Sequence, residues 1–221
     1  MRSTPVRMIS GTLATAAMVV AAGAFLPRGS QPAAEPATVA RAAAVMDTAV
    51  FAGGCFWSME KAFEHQPGVV SATSGYSGGT VPNPSYEDVG SGRTGHAESV
   101  QVVFDPSKTT YERLLDVYWH NIDPISTNGQ ICDHGSEYRS IVFYRGAGQR
   151  RAAEASKAQV QRHFTRPVTT QLVAAMPFYA AEEYHQNFAE RNPVHYNAYR
   201  VGCGRDARLH ELWGDAAGGP H

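Results

Sequence analysis

Ala49-Val50-Phe51-Ala52-Gly53-Gly54-Cys55-Phe56-Trp57-Ser58-Met59 carries the chain from one local period into another. Ala49 to Ala52 is an apolar run of strand character, and Phe56, Met59 and Phe63 recur at helical spacing. Between the two periods, Gly53 and Gly54 let the backbone bend sharply without a Cβ penalty. Cys55 therefore falls in a tight strand-to-helix turn. The free N–H groups of a helix start, and the positive end of its dipole, favour a thiolate there over a thiol. The two aromatic rings that follow suit a small apolar group bearing an electrophilic atom. A buried structural cysteine is the competing reading, because free Cys is often that, and the turn alone does not choose between them.

Working outward, helical and strand patterns alternate. The helix from Phe56 closes at Pro67-Gly68, and Val69–Tyr76 reads as extended. Residues 77–95, rich in Gly, Pro, Asn and Ser, read as a long loop of the kind that carries function. Glu98–Phe104 alternates as a strand. Thr109 to Glu112 has capping-box spacing and opens a helix with Tyr111, Leu114, Leu115 and Tyr118 on one face. A second long loop spans 121–137, then a strand at 140–144, an Ala-rich helix at 148–164 and a strand at 170–175. A last helix is expected over 181–191, stopped before Pro193, with 194–213 irregular or weakly helical. This order predicts an α/β (α+β) two-layer sandwich.

The ends read differently. Arg2 and Arg7 precede an uncharged stretch from Ile9 to Leu26, so 1–26 is expected to be an export signal or N-terminal membrane anchor. Residues 27–46 read as a Pro/Ala-rich linker, 47–214 as the folded domain and 215–221 as a disordered tail.

The 221 residues are 43% hydrophobic and 18% charged with a net charge of −1, which suits a globular domain and gives no sign of nucleic-acid binding. No Cys-x-x-Cys and no His-Glu-x-x-His occurs, so no metal is expected. Three cysteines, Cys55, Cys132 and Cys203, are too few for a disulfide scaffold, and an odd number leaves a free thiol, a transient pair, or both.

Strand 98–104 is the second informative stretch. Val100, Val102 and Phe104 share one face, and Glu98 has their parity. A carboxyl at the edge of an apolar face has a raised pKa and can donate a proton near neutrality, unless it lies beyond the buried part. Tyr86 and Tyr138 carry hydroxyls on the two long loops, beside Asp133. Glu182-Glu183-Tyr184-His185 reads as a solvated helix face.

Gly-Cys-Phe-Trp at 54–57, Ser-Gly-Tyr-Ser-Gly-Gly at 74–79 and Asn-Pro-Ser-Tyr at 83–86 together resemble the A-type methionine sulfoxide reductases. Gly-Arg-Thr-Gly-His-Ala-Glu at 92–98, Asp-His-Gly-Ser-Glu-Tyr-Arg-Ser at 133–140, and Pro-Phe-Tyr with Glu-Glu-Tyr-His within 177–185 continue the match in order. The resemblance implies a ferredoxin-like fold with a mixed sheet and long active-site loops. It implies reduction of the S epimer of methionine sulfoxide, protein-bound or free, with Cys55 as nucleophile and Glu98 as acid. Phe56 and Trp57 then hold the S-methyl group, and Tyr86, Tyr138 and Asp133 serve the sulfoxide oxygen. Cys55 is left as a sulfenic acid, a second thiol condenses with it, and an external thioredoxin-like or dithiol reductant reopens the disulfide. No bound cofactor is implied, and a monomer is expected, exported to the periplasm or anchored facing it.

Three departures stand out. Ser58 follows Phe-Trp where glycine is usual, Cys132 replaces a familiar Asn, and the tail Val201-Gly202-Cys203-Gly204 differs from the family's Gly-rich two-cysteine tails. Cys203 is the expected resolving thiol because a glycine-flanked tail can reach the site. Cys132, beside Asp133, is the alternative. A thiol peroxidase is the rival function, since it too passes through a sulfenic acid.

Overall fold

The computed structural model describes residues 45–219. The expected signal or anchor at 1–26, and the linker save its last two residues, lie outside that range.

Six strands form one mixed sheet: β1 (Asp47–Gly53), β2 (Val69–Ser77), β3 (Ala97–Phe104), β4 (Ser140–Tyr144), β5 (Gln171–Ala174) and β6 (Phe178–Ala180). Their order is β5-β4-β1-β3-β2-β6, with β4 and β5 parallel and every other pair antiparallel. The four inner strands, joined through α1 (Phe56–Glu64) and α3 (Tyr111–Trp119), make the split βαβ core of a ferredoxin-like sandwich.

The helices lie on one face. Phe51 of β1 stacks on Phe63 of α1 at 5.2 Å and on Tyr118 of α3 at 5.1 Å. Val100, Val102 and Phe104 point into the same core, as their alternation requires. Glu98 follows that parity and is 4% exposed, so it belongs to the buried side. The Tyr118 hydroxyl donates to the Ala52 carbonyl at 2.9 Å, tying α3 to the end of β1. The long helix α4 (Gly146–Gln161) is held to α3 where Trp119 Nε1 donates to Ser156 Oγ at 2.6 Å.

The bend after β1 works as its glycines suggest. Gly54 has φ +83°, and a Cβ there would stand 2.5 Å from Cβ of Gln130. Gly54→Ala combines a left-handed conformation with a steric clash, for an expected loss of roughly 2–4 kcal/mol. Urea unfolding should show it as a lower midpoint at unchanged slope; an unchanged midpoint refutes it.

Three stretches depart from the expected pattern. The helix expected over 181–191 is broken into a 3₁₀ turn at Glu183–His185 and the short α5 (Phe188–Arg191), with Asn187 at φ 50°. Tertiary hydrogen bonds outcompete helical ones there. The Gln186 side chain bonds both backbone groups of Ser74, and Asn187 N donates to Glu60 Oε2 at 3.0 Å. Pro193, expected to be a stop, is the first residue of α6 (Pro193–Gly202), where its missing N–H costs nothing. α7 (Arg205–Trp213) follows. The tail expected to be loose from 215 is held through residue 218: Gly218 N donates to the His120 carbonyl, and its own carbonyl accepts from Asn121 Nδ2.

Candidate active site

Cys55 stands between β1 and α1 as the residue capping the helix. Two residues beyond the last Phe51–Val100 pair of the β1–β3 ladder, the register brings Glu98 alongside the bend. Glu98 Oε2 accepts from Phe56 N, the first N–H of α1, at 2.9 Å. Among the described residues its other oxygen has no protein partner.

Cys55, Phe56, Trp57, Tyr86, Glu98, Asp133, Tyr138 and Tyr199 line one cavity of about 120 Å³. That is a small, partly open cavity, suited to one small group. All of the expected site residues except the two remaining cysteines are on this wall. Tyr86 opens the short helix α2 (Tyr86–Gly90), whose start Ser85 and Asp88 cap. Tyr138 ends a 3₁₀ turn just before β4.

Burial dominates the electrostatics. It pushes the Cys55 thiol up to about 12, helped by the charges of Glu98 and Asp133 and opposed by Arg205 and Tyr199. The expected thiolate at rest is therefore not what the folded chain favours. The main reason is burial of the sulfur, and the leading helix N–H, which could have favoured a thiolate, is bonded to Glu98 instead. Burial likewise raises Glu98 to about 8, against the Phe56 hydrogen bond. At neutral pH Glu98 thus carries a proton, on a carboxyl that lines the cavity. The hydroxyls of Tyr86, raised to about 12, and of Tyr138 also keep their protons, each chiefly through burial.

The aromatic wall is built from distant segments. Trp57 stacks flat on Phe188 at 3.7 Å and donates from Nε1 to His185 Nδ1 at 3.1 Å. That bond puts the neutral imidazole's proton on Nε2. The run expected to be a solvated face is so only in part: Glu183 and Tyr184 are exposed, but His185 is buried against Phe56 and Tyr86. Glu182 accepts from the Tyr76 hydroxyl at 2.8 Å and from Tyr86 N at 2.9 Å, so it holds the start of α2 in place.

Cys132 and Cys203 form a disulfide, Cα–Cα 5.2 Å, while Cys55 is a free thiol. The expectation had paired Cys55 with one of them; here they pair with each other. Cys132 lies in a tight turn closed by the two backbone hydrogen bonds between Gln130 and Asp133, with Ile131 in the left-handed region at φ 58°. Such a conformation is strained for a β-branched residue. Cys203 ends α6, and Gly204 at φ 66° turns the chain into α7.

Two site residues escaped sequence reading. Tyr199 donates its hydroxyl proton to Asp133 Oδ2 at 2.7 Å and lines the cavity. Arg205, 1% exposed, comes within 3.8 Å of the same oxygen. Both follow Pro193, in a stretch with only weak periodicity. The Tyr196/Tyr199 spacing on one helix face was the available signal.

A cavity with a buried thiol, a protonated carboxyl, two neutral phenols and aromatic walls can bind a polar oxygen beside a small apolar group and deliver a proton to it. A family model described as peptide methionine sulfoxide reductase matches residues 47–217. The peptide methionine sulfoxide reductase MsrA of Bacillus velezensis is 48% identical over 171 residues, covering 76% of this chain and 97% of that protein. MsrA 2 of Caulobacter vibrioides is 49% identical over 176 residues, covering 79% and 89%. Among solved structures, methionine sulfoxide reductase A of Corynebacterium diphtheriae is similar, with TM-score 0.60 and 32% identity over 67% of this chain and 76% of that one. Mxr1 of Saccharomyces cerevisiae in reduced form has TM-score 0.64 and 30% identity, over 67% and 86%.

Proposed function

The chain belongs to the peptide methionine sulfoxide reductase family, and on that premise we propose that it reduces the S epimer of methionine sulfoxide, free or within oxidised proteins. The observation that carries this reading is Cys55 in one small cavity with Glu98, whose carboxyl keeps its proton at neutral pH.

The sulfoxide oxygen lies toward Glu98, Tyr86 and Tyr138, and the S-methyl group against Phe56 and Trp57. Cys55 gives up its thiol proton to solvent and its sulfur attacks the sulfoxide sulfur as Glu98 protonates the oxygen. The hydroxyl then passes to Cys55 as the transient S–S bond breaks, leaving Cys55 as a sulfenic acid and the substrate as a thioether. Cys55 sulfur is oxidised by two electrons and the substrate sulfur is reduced by two. The Cys203 thiol then condenses with the sulfenic acid, releasing water and forming a Cys55–Cys203 disulfide. Cys132 thiolate attacks Cys203 sulfur and frees Cys55. That leaves the Cys132–Cys203 pairing seen here, which a thioredoxin-like dithiol reopens by exchange.

Arg2, Arg7 and the uncharged stretch to Leu26 support export. The reductant is then a thioredoxin-like protein of the compartment outside the cytoplasm. Recovery of the full chain in the cytosolic fraction alone overturns this part.

The main test uses separate S and R epimers of a methionine sulfoxide peptide with dithiothreitol. Consumption of S with R left intact is expected. Consumption of R alone, or of neither, sinks the assignment.

A further inference from the structure

Arg205 is among the largest fully buried side chains of the domain. Taking a guanidinium out of water costs several kcal/mol unless it is well paired, and this one is not. Nη2 donates to the carbonyls of Gly53 at 3.0 Å and Asn121 at 3.3 Å. Nη1 is buried without a hydrogen-bond partner. Its nearest anionic atom, Asp133 Oδ2 at 3.8 Å, already accepts the Tyr199 proton. An unpartnered charged donor in a folded core calls for a reason.

Its position supplies one. Nη1 lies 3.7 Å from where a Cβ on Gly54 would stand, so it rests against the bend that presents Cys55. The groups facing Cys55 are Glu98 from β3, Asp133 from the long loop, Tyr86 from α2, Tyr138 from its 3₁₀ turn, Tyr199 from α6 and Arg205 from α7. Two are acids and three are phenols. Among the described residues, Arg205 is the one cation there.

We propose that Arg205 is a positioning residue for the sulfur chemistry: the counter-charge to anionic Cys55, carried in on the same corner that bears Cys203. The proposal rests on the reading of Cys55 as the reacting thiol. Cys203, Gly204 and Arg205 are consecutive, with Gly204 forming the turn. Docking that corner brings the resolving sulfur and the stabilising charge together. A displaced corner would take both away from Cys55.

The test needs no substrate. In the oxidised full-length protein Cys55 is the free thiol, and its alkylation by iodoacetamide is followed by intact mass across pH. Below the thiol's midpoint the rate tracks the thiolate fraction. Arg205→Gln keeps a donor for the Gly53 carbonyl, and Arg205→Met keeps the volume. Both are expected to react about three- to tenfold more slowly at about pH 8, allowing for the greater nucleophilicity of a more basic thiolate. Arg205→Lys keeps the charge and should stay within about twofold of the native rate. Neutral variants as fast as native, or a lysine variant as slow as the glutamine one, overturn the proposal. If neither neutral variant folds, by circular dichroism, the lysine variant decides: a native-like rate supports the proposal and a tenfold loss overturns it. A chain that fails on both sulfoxide epimers yet shows this charge order in alkylation loses the proposed function and keeps this inference.

Discussion

Glu98→Gln is expected to lower kcat for methionine sulfoxide reduction about 10²–10⁴-fold with little change in KM, the range lost when a general acid is removed. The amide oxygen can still accept from Phe56 N, as Glu98 Oε2 does at 2.9 Å, so the start of α1 stays in place. What is lost is an oxygen that carries a transferable proton toward the cavity. The pH dependence separates this from mere repacking. Burial holds Glu98 protonated up to about 8 and the Cys55 thiol protonated up to about 12, so native activity should rise with pH and level off above about 8, where loss of the Glu98 proton offsets the growing thiolate fraction. The glutamine variant should lose that levelling and keep rising. A stability readout gives an independent check. Between the ordinary Glu value of 4.5 and about 8 the folded protein binds more protons than the unfolded chain at this site. Native stability therefore falls as pH rises through that window. Glu98→Gln should flatten that slope in urea titrations. A variant with near-native kcat would remove Glu98 from the proton-donor role.

With thioredoxin as reductant, Cys203→Ser and Cys132→Ser are each expected to release about one equivalent of methionine and then stop. The two variants part on what remains at Cys55. Cys203 stands on a corner hinged at Gly204, whereas Cys132 lies in a turn closed at both ends by Gln130–Asp133 hydrogen bonds. That turn is braced further by the Gln130 side chain, which bonds both backbone groups of Asp123. On the proposed route Cys203 is the sulfur that reaches Cys55, and Cys132 the receiver. Without Cys203, Cys55 should persist as a sulfenic acid that dimedone labels. Without Cys132, a Cys55–Cys203 disulfide should form, and labelling should be lost. The opposite labelling pattern makes Cys132 the resolving thiol. Sustained turnover with thioredoxin in either variant shows that the pair does not carry recycling.

Much of the framework was legible along the chain because side-chain periodicity is a local property. The alternation of Glu98, Val100, Val102 and Phe104 put the carboxyl on the buried face before any contact was known. The paired glycines after an apolar strand located the bend at Cys55, and Gly54 adopts the left-handed conformation such a bend needs. The ordered motifs brought Cys55, Phe56, Trp57, Tyr86, Glu98, Asp133 and Tyr138 onto one list, and all seven line one cavity.

What only the tertiary structure decided depends on groups far apart in the chain. Glu182-Glu183-Tyr184-His185 looked like a solvated helix. It is a broken turn instead, because Ser74 and Glu60 offer its neighbours Gln186 and Asn187 better partners than a helix would. Tyr199 and Arg205 reach Asp133 and the Cys55 bend from the last part of the domain, and weak local periodicity carries no record of that approach. The charge state of Cys55 follows the same logic. Sequence located it at a helix start, where a thiolate is favoured. Burial, Glu98 and Asp133 act on the same sulfur in the opposite direction, and their sum exists only once the chain has closed around it. Sequence determined seven of the residues that meet at the bend after β1; folding added Tyr199 and Arg205 and decided which groups hold their protons and which cysteines pair.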